Sequence, residues 1–171
     1  MTTLVLSVIG SDRPGLTEAV AKAILSADGN WLQSHLSQLG GLYVGSVLVE
    51  LPEAKVETLR AAVQGIDAHG LEVRVAEGVQ TAQPAGEALT LTLVGQDRLG
   101  IVRQVTAALA ALNVNIETFE TRIDAEANTG APLFNHNAAL RLPPGLKADA
   151  VQSALEAISA EIMVDVSLSA A

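Results

Sequence analysis

The sequence contains one pattern written twice, and this repeat limits what the chain can fold into. Residues 10–15 (GSDRPG) recur as residues 95–100 (GQDRLG), 85 positions later in a chain of 171 residues. Each of these turns follows a strongly apolar run and precedes a segment with apolar residues at helical spacing. The same offset pairs Asn30 with Asn115. The repeat therefore predicts two small domains, residues 1–78 and 88–171, joined by a short polar linker at residues 79–87.

The first copy has the order strand, helix, strand, strand, helix, strand. Val, Leu and Ile dominate residues 3–9, which predicts a central strand covered on both faces or nearly so. The next two strands, at residues 31–39 and 42–51, are joined by a tight turn at Gly40 and Gly41, and the first of them has the mixed polarity of an edge strand. The second copy repeats the order, which predicts two βαββαβ units.

Residues around the first helix indicate where it begins and ends. Asp12 is a natural N-cap, because its carboxylate can accept hydrogen bonds from the unpaired amides of a first turn, and Pro14 is tolerated within such a turn. Asp28 and Gly29 tolerate a positive φ, which is typical of residues that end a helix. In the second copy Leu99 replaces the proline, so the two turns are not fully equivalent.

The second copy is longer than the first between its second and third strands. Tyr43 aligns with Phe134, at an offset of 91 instead of 85, so six residues have been gained within residues 124–132. Insertions concentrate in exposed connections and often carry function there. A tolerated surface insertion explains the loop equally well.

Charge and composition exclude several kinds of function. The formal net charge is −9, with 10 Lys and Arg against 19 Asp and Glu, which argues against direct binding of nucleic acid. There is no cysteine, and the three histidines, His35, His69 and His136, are far apart, so we expect no metal site. We find no catalytic motif or dinucleotide fingerprint, and we therefore expect neither an enzyme nor a cofactor.

No part of the sequence is typical of a membrane protein. No apolar run approaches the roughly 20 residues that span a bilayer, and the residues after Met1 enter the first strand without a basic segment. We therefore expect a cytoplasmic protein with no membrane partner.

The repeated turn, with an asparagine at the start of the second strand of each unit, resembles the ACT domain. ACT domains are small regulatory modules of ferredoxin-like fold that bind amino acids. The resemblance implies an α+β protein of two such domains, each a four-stranded antiparallel sheet with two helices on one face. A chain of two ACT domains alone, with the longer loop that leads into residues 132–134, resembles the glycine cleavage system transcriptional repressor family. That family implies a regulator of transcription that acts through a protein partner. We expect this chain to sense an amino acid, glycine by resemblance only, and to form a homodimer.

The physical properties of the turns also favour a small anionic or zwitterionic ligand. Glycines at both ends of each turn let the backbone approach a ligand, and the helix N-terminus that follows suits a carboxylate. In ACT domains the ligand commonly lies where the turn of one domain meets the asparagine of another, within a chain or between chains. The candidate ligand-binding residues are Asp12, Arg13, Pro14, Gly15, Leu16, Asn30, Asp97, Arg98, Gly100, Ile101 and Asn115.

Simpler explanations of the same residues remain open. The two aspartates can be plain helix caps, the two arginines can be solvated or paired with acids, and the two asparagines can be turn residues. Some ACT domains bind nothing and only mediate assembly. In that alternative the edge strands, at residues 31–39 and 115–123, pair into a continuous sheet without a ligand.

Overall fold

The computed structural model describes residues 1–67, 70–79, 85–126 and 129–171. They form two compact units, Met1–Thr81 and Ala82–Ala171, each with its own hydrophobic core. Residues 80–84 of the predicted linker, His69 and two residues of the predicted loop (127 and 128) lie outside the described residues.

The first unit has the predicted βαββαβ order. Its elements are β1 (Thr2–Ser11), α1 (Leu16–Ser26), β2 (Asn30–Leu39), β3 (Leu42–Leu51), a 3₁₀ turn (Glu53–Lys55) leading into α2 (Val56–Asp67), and β4 (Leu71–Glu77). The strands form an antiparallel sheet in the order β2-β3-β1-β4, with β2 at one edge. Gly40 and Gly41 both have positive φ in the β2–β3 turn, as the predicted tight hairpin requires.

The second unit repeats this topology. Its elements are β5 (Ala88–Gln96), α3 (Ile101–Ala111), β6 (Asn115–Ala125), β7 (Pro132–Arg141), α4 (Ala148–Ile162) and β8 (Val164–Ala170). The sheet order is β6-β7-β5-β8, again antiparallel. The fold prediction, two four-stranded antiparallel sheets with two helices each in a ferredoxin-like arrangement, is confirmed. No helix in the described part of the chain is long and apolar enough to cross a membrane.

Each core lies between the helices and one face of the sheet. In β1, Leu4, Leu6 and Val8 are buried, whereas Ser7 and Ile9 on the other face are exposed. The expectation that β1 is covered on both faces is therefore wrong. An antiparallel sheet needs only one face packed, and a strand rich in Val, Leu and Ile does not by itself show which kind of sheet it belongs to. The half-buried Trp31 packs against the first core, and the buried Phe134 belongs to the second.

A glycine, and not an aspartate, precedes each of the helices that follow the repeated turns. Gly15 and Gly100 both have φ of 93°, and neither helix has a side-chain cap. The carbonyl of Gly15 accepts the first helical hydrogen bond, from the Ala19 amide at 2.9 Å. The prediction that Asp12 and Asp97 are N-caps is therefore wrong, as is the placement of Pro14 within the first turn. The left-handed conformation, which glycine adopts without steric cost, moves each helix start three residues further on.

The predicted end of α1 is confirmed, and α3 ends in the same way. Asp28 has φ of 54°, and the Gly29 amide donates to the Ile24 carbonyl at 3.0 Å. Asn113 has φ of 53° in the second unit, where the Val114 amide donates in the same way. A residue of positive φ followed by a returning amide satisfies carbonyls that the last turn would leave unpaired.

Candidate functional site

An open depression of about 620 Å³ lies at the repeated turn of the first unit. The turn brings five of the predicted site residues to it, namely Asp12, Arg13, Pro14, Gly15 and Leu16. Three residues that sequence reasoning missed complete its lining, namely Thr17, Glu18 and Tyr43. The antiparallel register pairs Gly10 at the end of β1 with Tyr43 at the start of β3, so a β1–β3 pairing assumed from the fold could have identified the tyrosine.

A hydroxyl pair gives this depression a fixed polar feature. The Thr17 and Tyr43 hydroxyls are 2.6 Å apart, and either can be the donor. The bond ties the first turn of α1 to β3. Both hydroxyls can donate and accept hydrogen bonds, so the pair retains capacity for a further polar partner.

Charges of both signs surround the helix N-terminus. Asp12 and Arg13 line the depression on the turn, and the first amides of α1 add a partial positive charge. Glu18 is occupied by an ion pair with Lys22, at 2.9 Å, and the hydrogen bond and charge of that lysine lower the pKa of Glu18. Asp12 and Arg13 make no ion pair with any described residue. The depression therefore presents an acid and a base side by side.

Asn30 does not share this depression. It starts β2 and lies opposite Glu50, which itself pairs with Thr3, whereas the turn follows Gly10 at the other end of β1. Seven residues of strand separate the two ends, roughly 23 Å. Asn115 has the equivalent place at the start of β6. The ligand role of both asparagines stays a prediction.

The repeated turn of the second unit contacts the end of α4 through its arginine. The Arg98 Nη1 atom donates to the Glu161 carbonyl at 3.1 Å, close to the C-terminus of α4, where a positive charge is favourable. A depression of about 500 Å³ lies between this turn and the end of α4, and of the predicted residues only Arg98 and Ile101 line it. Asp97 and Gly100 do not line it, and the Asp97 amide donates to the Pro132 carbonyl at 3.1 Å.

The hydroxyl pair of the first unit has no counterpart in the second. The position of Thr17 is occupied by Val102, and that of Tyr43 by Phe134. Val102 is exposed and Phe134 is buried. The two turns, almost identical in sequence, thus differ in whether a hydroxyl pair lies beside them.

Gly10 and Gly95, predicted to let the backbone approach a ligand, serve the fold instead. A Cβ on Gly10 would lie 2.4 Å from the Gly70 carbonyl oxygen, and one on Gly95 would lie 2.3 Å from that of Met163. Each glycine lets the last strand of its unit approach the central one. A Cβ on Gly15 or Gly100 would meet nothing within 4 Å, so those glycines are needed for their positive φ.

Comparison with known proteins identifies the fold family. The family model described as ACT domain matches residues 2–76, nearly the whole first unit. The second unit has the same turn and the same strand order. The first unit is therefore an ACT domain, and the second unit repeats its fold. No curated protein matches its sequence.

Solved structures extend the likeness over both units. An unknown protein from Galdieria sulphuraria is 28% identical, with 99% of this chain and 98% of that chain covered and a TM-score of 0.87. A candidate glycine cleavage system transcriptional repressor is 17% identical, with 98% and 96% covered and a TM-score of 0.70. At that identity the second likeness concerns the fold alone.

A buried histidine distinguishes the second ACT domain from the first. His136 is 1% exposed, and its Nδ1 donates to the Glu120 carbonyl at 2.9 Å. Its ring packs on Phe119, with centroids 4.2 Å apart, and its Nε2 has no partner among the described residues. Burial lowers the pKa of His136, and the hydrogen bond that the ring donates to the Glu120 carbonyl only partly opposes this. The first unit has Gly45 at the equivalent position, so the repeat gives no hint of a buried histidine. Sequence reasoning treated the three histidines alike and did not single out His136.

No cluster of three or more potential metal ligands occurs among the residues that the structure describes.

Proposed function

We propose that this tandem ACT-domain protein is a cytoplasmic, non-enzymatic regulator that senses an amino acid at the depression of its first domain. The observation that carries the proposal is the convergence of Asp12, Arg13 and the Thr17–Tyr43 hydroxyl pair on the N-terminus of α1. An amino acid is a zwitterion. The free amides of α1 and the Arg13 guanidinium suit its carboxylate, and the Asp12 carboxylate suits its ammonium.

In this proposal only the first domain senses the ligand. Arg98 already binds the end of α4, and the hydroxyl pair is replaced by Val102 and Phe134. The second depression therefore lacks the paired hydroxyls of the first, and the aspartate of its turn, Asp97, does not line it.

Glycine is the ligand to test first, and control of glycine cleavage is the process to test first. Both come from the candidate glycine cleavage system transcriptional repressor that shares the fold. The net charge of −9 favours action through a protein partner over contact with DNA. The ligand would shift the protein, a homodimer in this proposal, between two states that the partner distinguishes, with a coupling of about 1–3 kcal/mol.

A thermal-shift screen against the twenty amino acids tests the sensor. A ligand at about one hundred times its dissociation constant stabilises the folded state by about 2.7 kcal/mol. Thr17→Val and Tyr43→Phe each introduce the residue that the second domain carries, so both should fold and should lose most of the shift. Val102→Thr is the matched control and should keep it. Asn30→Ala and Asn115→Ala test the two predicted strand-start contacts.

The second candidate function is a ligand-free assembly module, which the exposed edge strands favour. A screen that shows no shift with any amino acid, at concentrations that saturate known sensors, would reject the sensor and favour this module. A shift that survives both Thr17→Val and Tyr43→Phe would move the ligand site away from the first depression.

A further inference from the structure

The open face of the first sheet, on the side away from the hydrophobic core, carries one polar row that crosses all four strands. From β2 through β3 and β1 to β4, its members are His35, Ser46, Ser7 and Arg74. Each member lies directly opposite the next, and directly opposite residues point to the same face of a sheet. The row therefore presents an imidazole, two hydroxyls and a guanidinium on one surface, and all four groups can donate hydrogen bonds.

Larger apolar side chains border the polar row on both sides. Two residues along the strands in one direction lie Val5 and Leu48, and two residues in the other direction lie Ile9 and Val44. The serines between them are small, so they form the floor of a trough with apolar walls. At one end the trough includes a depression of about 380 Å³, which is lined by Ser7, Val8, Ile9, Glu72 and Arg74.

The hydrogen-bonding groups of the row are available to a ligand. Neither serine hydroxyl takes part in a side-chain hydrogen bond among the described residues. The Gln33 amide nitrogen lies 3.1 Å from the His35 Nε2 atom. Because an amide nitrogen can only donate, Nε2 accepts, and the neutral ring carries its hydrogen on Nδ1. The Arg74 Nε atom donates to Glu72 at 2.7 Å, so the two terminal nitrogens of the guanidinium still face solvent as donors.

The spacing of the row fits one phosphate group. Opposite residues of antiparallel strands have Cα atoms about 4.5–5.5 Å apart, so the Ser7 and Ser46 hydroxyls can both bond oxygens of a phosphate seated between them. The long side chain of Arg74 reaches the same group from one side, and its planar N–H groups match phosphate oxygens. Because Glu72 offsets the charge of Arg74, charge alone does not hold the anion, and contact of an organic part with the apolar walls adds to the affinity.

The second domain has no equivalent row. The matching residues of its sheet are Glu120, Asn137, Thr92 and Ser167. The Thr92 hydroxyl donates to the Asn137 side-chain carbonyl at 3.0 Å, so the two middle groups bond each other. An acid stands where the first domain has His35, and no base is present in the row. The second domain therefore provides a natural control for the first.

We infer that the open face of the first sheet binds the phosphate group of a phosphate monoester with an apolar organic part. The phosphate lies over Ser7 and Ser46 and accepts hydrogen bonds from Arg74 and His35, and the organic part packs on an apolar wall. One phosphate group needs a single base, and not the basic surface that nucleic acid requires. The site shares no residue with the depression proposed to bind an amino acid.

Phenyl phosphate is the probe for this site. Two-dimensional amide nuclear magnetic resonance spectra of the full chain, recorded at fixed ionic strength, measure its dissociation constant and locate its contacts. The amide signals of Ser7, Ser46 and Arg74 should shift and saturate. Inorganic phosphate should bind at the same place but several-fold more weakly. Arg74→Gln and the double variant Ser7→Ala/Ser46→Ala each remove hydrogen bonds to a charged group, and each should weaken binding about tenfold or more.

Matched controls separate this site from general binding of anions. Arg60→Gln removes another arginine that pairs with a glutamate, on α2, and Thr92→Ala removes the equivalent hydroxyl of the second domain. Both should leave the dissociation constant unchanged. Thr17→Val should also leave it unchanged, so failure of this site and failure of the amino-acid sensor are distinguishable. Far-ultraviolet circular dichroism spectra of all variants should match the wild type.

Three results would overturn the inference. The first is the absence of saturable shifts at the row with phenyl phosphate. The second is an equal loss of affinity in Arg60→Gln and Arg74→Gln, which would mean adventitious binding to any exposed base. The third is binding of inorganic phosphate as tight as that of phenyl phosphate, because the apolar walls would then contribute nothing.

Discussion

Lowering the pH through the range of a free histidine should destabilise the second ACT domain through His136. The side chain is almost wholly buried, and it faces Leu93 of β5 and Thr121 of β6 in the sheet register, with no acid at either place. The Glu120 side chain lies on the other face, opposite Asn137. A proton on His136 would therefore be a buried charge without a counter-charge, so the folded state keeps the ring neutral and its pKa below the ordinary 6.5.

The sign and size of the effect follow from proton linkage. The unfolded chain binds a proton at His136 near pH 6.5, and the folded chain does so only at lower pH. The free energy of unfolding is therefore fully retained above pH 6.5 and falls as the pH drops from there towards the folded-state pKa. Between pH 7.5 and 5.5 the loss is at most about 1.4 kcal/mol, the limit reached when the folded state takes up no proton in that window.

Urea denaturation followed by far-ultraviolet circular dichroism, at pH 7.5, 6.5 and 5.5, measures this loss. His136→Leu removes the titrating ring and keeps an apolar side chain in the core, so it should lose less stability across the same range. Because both proteins share all their carboxyl groups, the difference between their slopes isolates His136. Equal slopes for the two proteins would refute the argument. A nuclear magnetic resonance titration of the His136 ring gives the folded-state pKa directly.

Three further substitutions test other contacts, each by its urea midpoint. Gly10→Ala should cost about 1–3 kcal/mol or more, since the new Cβ meets the Gly70 carbonyl oxygen on rigid backbone; a neutral result would show that β1 and β4 can separate. Arg98→Ala should cost about 0.3–1 kcal/mol and leave ligand shifts intact, whereas a lost shift would argue for ligand binding in the second domain. Arg141→Met should cost about 1 kcal/mol, because it removes a bidentate contact with the half-buried Glu117; an equal cost in a chain that already carries Glu117→Gln would point to lost packing.

Most of the fold could be predicted because turn and helix-end residues occur at equivalent positions of the two repeats. The paired glycines of the β2–β3 turn and the positive φ of Asp28 are properties of single short segments. The offset of 85 then transfers each assignment from one domain to the other. The same offset also transfers an error, as the helix starts misplaced at Asp12 and Asp97 show.

The wrong and the missing predictions depend on contacts between distant segments. Asp12 is a residue type that commonly caps helices, but the helix instead begins after a glycine in the left-handed conformation. The sequence is compatible with either start. The role of Arg98 depends on the end of α4, 63 residues further along. The burial of His136 depends on the side chains that pack around it in β7. The equivalent residue of β3 is Gly45, so the first domain gives no guide to this environment.

The few aromatic side chains of the two domains have a consequence for spectroscopy. Trp31 and Tyr43 lie in the first domain, and both phenylalanines, Phe119 and Phe134, lie in the second. Fluorescence excited at the tryptophan band therefore reports on the first domain alone, and the second can unfold without any change in that signal. The unmodified protein thus carries its own fluorophore in the half proposed to bind an amino acid, and has no tryptophan or tyrosine in the other half.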